Sequence, residues 1–116
     1  MPKIQAIAKA IRKTVALKSN GLCWYCGLPG DTVDHLNPRI NGGPDTLDNY
    51  VLACKGCNSC KKDLSIEEFR HNAWYRANGV TQYFSKSQKE WLASKGIVFP
   101  SHEHMFWFEN HNLITN

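Results

Sequence analysis

Four cysteines in two matched pairs carry the clearest chemistry in this chain: Cys23-Trp24-Tyr25-Cys26 and Cys54-Lys55-Gly56-Cys57. Two residues between ligands let a tight turn aim both sulfurs at one ion. Four thiolates then close a tetrahedral shell with no position left for water, which is a structural zinc site. A redox dithiol or plain buried thiols would not explain the pairing. The need for zinc follows from size, because a module of about 40 residues buries little apolar surface on its own. Structural zinc supplies roughly 10–16 kcal/mol of apparent folding free energy. Cys60 falls outside both pairs and reads as a spare thiol on a short helix.

The interval between the pairs, Gly27 to Ala53, holds 27 residues, more than the roughly 12–20 of a plain zinc ribbon or finger. The insertion is polar. Thr32-Val33-Asp34-His35-Leu36 reads as a short strand. Asn37 to Asn49, with Pro38 and Asn41-Gly42-Gly43-Pro44, reads as a loop, and Tyr50-Val51-Leu52-Ala53 as a second strand. The second cysteine pair then enters a short helix. Asp34, His35 and Asn49 are therefore brought to one strand pair and its loop, with Asn58 just beyond.

The elements that must hold this insertion flank it. Ile4, Ile7, Ala8, Ile11 and Val15 recur at three- and four-residue spacing, the pattern of an amphipathic helix, and Asn20-Gly21 is a helix stop. The chain of 116 residues carries a net charge of +4. The first thirty residues contain five lysines and arginines and no acid, so the whole excess sits there. A basic arm beside a metal module suits a polyanion, and Lys9, Arg12 and Lys13 are left to solvent by the apolar stripe. Residues 64–116 are rich in aromatics. A helix is expected from Ser65 to about Asn78, another from Ser85 or Ser87 to near Lys95-Gly96, and a short strand at Met105-Phe106-Trp107-Phe108. Trp74, Tyr75, Tyr83, Phe84, Trp91, Phe106, Trp107 and Phe108 read as core around a small zinc module. His71, His102, His104 and His111 read as exposed or hydrogen-bonded histidines rather than a second metal site.

The length corresponds to one domain, and no run of about 18 apolar residues spans a membrane. An odd cysteine count fits poorly with a disulfide framework. With no signal-peptide core at the start, the thiols imply a reducing cytoplasm.

Taken in order, Cys23-x-x-Cys26-Gly27, Val33-Asp34-His35-x-x-Pro38, Gly42-Gly43, Asp48-Asn49 and Cys54-x-x-Cys57-Asn58-x-x-Lys61 resemble the HNH endonuclease family in its zinc-stabilised form. The resemblance covers about residues 18–69. It implies an α+β fold: a small ββα-metal core stapled by the four-cysteine zinc site. Around that core stand the basic helix (1–20) and a helical, aromatic-rich C-terminal extension (70–116), in a single domain with the core at 21–69. It implies a metal-dependent DNA endonuclease, nicking or cutting both strands of double-stranded DNA, in a cytoplasm or, for a phage protein, that of the host. By the same resemblance His35 is the candidate general base, and Asn49 is expected to orient the loop that holds it. The resemblance also implies that Asp34 and Asn58 share a catalytic Mg²⁺ or Mn²⁺, ions that prefer hard oxygen ligands. Arg39, Lys55 and Lys61 join Lys9, Arg12 and Lys13 as phosphate contacts. A homodimer would place two such sites on opposite strands. The competing reading is a zinc-dependent nucleic-acid-binding module without catalysis. Two positions depart from the family pattern: Lys62 stands where many members have glycine, and Tyr50 where leucine is usual.

Overall fold

The computed structural model describes residues 9–80 and 84–113. Their elements are helix α1 (Lys9–Leu17), strand β1 (Thr32–His35), a 3-10 turn (Arg39–Asn41), strand β2 (Tyr50–Ala53) and helices α2 (Lys55–Lys61), α3 (Ile66–Ala77) and α4 (Lys86–Ser94). A second 3-10 turn (Ser101–Glu103) and helix α5 (Trp107–Asn110) complete them. The chain divides into two compact units, one of Met1–Ile66 with Met105–Asn116 and one of Glu67–His104. The C-terminal extension is thus not one piece, because its last segment belongs with the zinc module.

In the first unit β1 and β2 pair antiparallel, with Thr32 opposite Ala53, Val33 opposite Leu52, Asp34 opposite Val51 and His35 opposite Tyr50. Side chains alternate between faces along a strand, so Val33 and Leu52 share one face and Asp34 and Val51 the other. Helix α1 covers the first face. Val15 is fully buried against Val33, Tyr50 and Leu52, with Ile11 and Ala16 beside it. The apolar stripe read from the sequence does this work from Ile11 and Val15. Its earlier members Ile4, Ile7 and Ala8 lie outside the described residues. Asn20 and Gly21 take positive φ of 53° and 79°, and the Gly21 amide closes the helix on Ala16 O at 2.9 Å. Lys18 turns back from the helix end to donate to Leu47 O and Tyr50 O.

Helix α2 covers the other face of the sheet. Cys54 caps its start, the sulfur accepting from the Cys57 amide at 3.4 Å. Lys62 ends it at a φ of 51°, a left-handed conformation in which glycine is unstrained and a lysine is not. That accounts for the glycine usual at this position.

The expected strand at 105–108 is a helix start. The Trp107 and Phe108 amides donate to Tyr25 O and Trp24 O at 2.9 and 3.0 Å, and the Glu109 side chain accepts from the Phe106 amide. With these amides taken by the first cysteine turn, the segment coils into α5. Phe108 stacks on Trp24 at 5.3 Å and Phe106 meets Tyr25 edge-on at 5.7 Å.

The second unit holds α3, α4 and the turn at Ser101–Glu103. Ser85 caps α4 with Gln88 in a reciprocal box, as Ser and Gln at this spacing favour. Tyr75, Phe84 and Phe99 pack as a ring cluster, the two phenylalanines stacked at 5.4 Å. Trp91 does not join a core and is 62 % exposed. Tyr83 lies outside the described residues. No helix among the described residues is long and apolar enough to cross a membrane.

Candidate metal centre and active site

The first cysteine pair sits in a miniature hairpin. The Cys23 amide donates to Leu28 O, Leu22 bridges Pro29, and the Gly27 amide returns to Cys23 O at 2.9 Å. Gly27 has a φ of 78°, and a Cβ there would meet the Trp107 ring at 2.4 Å, so glycine alone fits. The Trp24 amide donates to Leu52 O at 2.8 Å, which lays this hairpin across β2. Cys54 directly follows β2, so both pairs converge. The four sulfurs of Cys23, Cys26, Cys54 and Cys57 lie within 4.8 Å of one another, with Cys26 and Cys54 at 3.7 Å. Zn–S bonds of about 2.3 Å in a tetrahedron demand sulfurs about 3.8 Å apart, so zinc fits. Cys60 stays outside the cluster.

The thiols of the cluster are coupled to one another. The Cys57 thiol, by hydrogen bonding, pulls Cys23 down to about 5. Burial is the first cause that pushes Cys26 up to about 11, and the bond to Cys23 that pushes Cys57 far up. One thiolate forms readily and its neighbours hold their protons. A dication held by the four sulfurs would replace those protons.

The oxygen-bearing residues lie farther along the same hairpin. Asp34, on the face covered by α2, is buried. Its Oδ2 accepts from the Tyr25 hydroxyl at 2.5 Å and pairs with Lys61 Nζ at 3.2 Å. Burial and then Asp34 raise the Tyr25 pKa well above its usual value, so the phenol remains a donor. Lys61 Nζ also donates to His35 O at 2.9 Å. Asn58 lies three residues before Lys61 on α2, hence one turn back on the same helix face.

His35 ends β1. Its ring meets Tyr50 edge-on at 5.1 Å, and its Nε2 lies 2.8 Å from Asp45 Oδ1. Asp45 is gripped in turn by Arg39 through two bonds of 2.8 Å. Arg39, then His35, lowers the Asp45 pKa. Asn49 is buried and pins the loop between them: its Oδ1 accepts from the Asn37 amide, and its Nδ2 donates to Asn37 O and Pro44 O. Gly43 closes the same loop against Asn37 O, where a Cβ would fall at 1.8 Å.

Among the described residues Trp24 Nε1 is the one buried side-chain polar atom with no partner. Asp34 Oδ1, His35 Nδ1 and the Asn58 side-chain amide carry none of the hydrogen bonds found, and none is a buried orphan. These three groups are therefore open to water or to an ion. The donor set of one carboxylate oxygen and one amide oxygen suits a hard divalent ion.

The basic residues divide. Lys9, Arg12, Lys13 and Lys55 are exposed. Lys61 is not a surface contact: it is 0 % exposed, committed to Asp34 and His35 O. Arg39 is spent on Asp45. Sequence reasoning missed Tyr25 and Asp45. Tyr25 was read only as a spacer between cysteines. Asp45 had one signal, an acid six residues after Arg39 in a loop that must close.

Residues 23–64 match the family model described as HNH endonuclease, and the four-cysteine cluster in that segment is able to hold zinc. The segment contains both cysteine pairs, Asp34, His35, Asn49 and Asn58. A prophage-derived protein of Bacillus subtilis (strain 168), YoqL, named as a candidate HNH endonuclease of SPbeta, is 33% identical over 89 residues. The match covers 63% of this chain, and the chain spans 36% of that relative's length. A crystal structure of the type II-C Cas9 enzyme from Actinomyces naeslundii is similar over 72% of this chain and 10% of its own, at 20% identity and a TM-score of 0.49.

Proposed function

We propose that this protein is a metal-dependent DNA endonuclease hydrolysing phosphodiester bonds at the Asp34–His35 end of β1. The observation that carries it is the Lys61 tie, which joins Asp34 Oδ2 and His35 O to the α2 face that also bears Asn58. Asp34 Oδ1 and the Asn58 side-chain oxygen would hold a divalent ion, Mg²⁺ or Mn²⁺. That ion supplies charge stabilisation at a scissile phosphate. His35 keeps its Nε2 proton on Asp45, which leaves Nδ1 to take the proton of the attacking water. Imidazole is the side chain most often used as a general base for such a proton transfer. Asp45 then balances the charge on the ring, and Asn49 holds the loop that carries Asp45. Lys55, with Lys9, Arg12 and Lys13 on α1, contacts backbone phosphates. The reducing cytoplasm suits the free thiols of the clasp. The copy number at work decides the product: a monomer nicks, and a symmetric pair cuts both strands.

The test incubates supercoiled plasmid with zinc-loaded protein and Mg²⁺, Mn²⁺ or EDTA, following nicked and linear forms over time. Cleavage is expected with a divalent ion and not with EDTA. His35→Ala is expected to slow it by roughly 10²–10⁴ with zinc content unchanged. Plasmid left supercoiled under every divalent condition overturns the reading. Salt-sensitive DNA retention alone, unaffected by His35→Ala, would make the protein a binding module instead.

A further inference from the structure

A carboxylate that binds an ion through one oxygen must be kept from turning. The last torsion of aspartate is broad and nearly two-fold, so a bare Asp34 would exchange its oxygens freely. Here both donors meet the same atom: the Tyr25 hydroxyl and the Lys61 ammonium converge on Oδ2. Tyr25 is itself held on every side. It lies inside the Cys23–Cys26 turn, its carbonyl accepts from the Trp107 amide at 2.9 Å, and its buried ring meets Phe106 edge-on. Lys61 Nζ lies 5.9 Å from the centre of that ring, so the two donors also support each other.

We propose that Tyr25 is a positioning residue for the catalytic ion: it fixes Asp34 by Oδ2 and so presents Oδ1. The proposal rests on the reading of Asp34 as an ion ligand. It joins the two metal centres through one side chain, because the residue that braces the oxygen ligand is also part of the sulfur turn. Filling the clasp with zinc then prepares the oxygen site, and emptying it loosens Asp34. Groups that orient a metal ligand from behind commonly change metal affinity by about 10–100-fold when removed.

The experiment measures Mn²⁺ binding to zinc-loaded protein by the electron paramagnetic resonance signal of free Mn²⁺, in the native chain, Tyr25→Phe and Asp34→Ala. Melting temperature and the thiolate–Co²⁺ absorption of Co²⁺-substituted samples are read in parallel. Tyr25→Phe is expected to raise the Mn²⁺ Kd about 10–100-fold with melting and the Co²⁺ spectrum unchanged. Asp34→Ala is expected to weaken binding further. Native affinity in Tyr25→Phe beside weakened binding in Asp34→Ala overturns the brace and leaves Asp34 as a ligand. Native affinity in both variants overturns the assignment of the ion to Asp34 itself. Loss of the Co²⁺ spectrum or of the fold in Tyr25→Phe also overturns the brace, since the tyrosine would then serve the clasp.

Discussion

The sulfur clasp and the oxygen pocket occupy two ends of one short hairpin, and they are built in opposite ways. The clasp forms at the Thr32–Ala53 end from two local turns, each of which aims its own pair of ligands. Its four sulfurs lie within 4.8 Å of one another and would leave no open position on a tetrahedral ion. The pocket forms toward the His35–Tyr50 end from residues that cannot meet locally. Asp34 depends on Tyr25 and Lys61, and His35 on Asp45 and Arg39. A closed shell stabilises the fold. An open one needs the fold to keep its groups apart and oriented. The difference teaches that a closed sulfur cluster and an open set of polar groups place opposite demands on one hairpin, with Tyr25 lying in the turn of the first and bonded to Asp34 of the second.

Breaking the clasp is expected to have the largest effect, because both ends should fail together. Cys54→Ser removes a zinc ligand and weakens the cap of α2 at once. Zinc content should fall below one per chain and cooperative melting of the first unit should be lost, as seen by calorimetry and circular dichroism. A folded Cys54→Ser protein without zinc would show that the core around Val15, Val33 and Leu52 suffices alone.

Disturbing the loop should separate the two ends. Gly43→Ala forces a Cβ onto Asn37 O, and overpacking of this kind costs about 1–3 kcal/mol. Since Asn49 ties Asn37 and Pro44 together, the strain falls on the loop that carries Asp45. Cleavage should drop well before zinc is lost, measured as activity beside zinc stoichiometry and melting temperature. Equal loss of both would erase the distinction between clasp and pocket.

The smallest effect is electrostatic. Arg39 is the main cause of the lowered Asp45 pKa. The stability from this pair is present above the ordinary carboxylate value near 3.9 and is lost as pH falls through the lowered one. Arg39→Ala should raise the Asp45 midpoint toward 3.9, observed as the carboxyl carbon shift in an NMR titration. At pH 7 Asp45 remains ionised in both proteins, so the His35 contact should persist. An unmoved midpoint would remove Arg39 from the pocket.

Much of this was legible in the residues because the interactions are short in sequence. Cys-x-x-Cys turns, the Val33/Leu52 alternation, the Asn20-Gly21 stop and the Ser85 cap each act within a few positions. The segment after Met105 was misread as a strand for the opposite reason: its amides are answered by Trp24 and Tyr25, some eighty residues earlier, and periodicity over four residues does not see them.

Residue order by itself determined the four-cysteine cluster and the strand pair beside it, since residue type and local spacing suffice for each. Tertiary structure alone decided that Lys61 turns inward to Asp34 instead of outward to phosphate, that Arg39 is spent on Asp45, and that Tyr25 reaches the carboxylate. Whether a long polar side chain meets water or a buried partner depends on which distant surface folds against it, and a charge enters the interior only where an opposite one is already waiting.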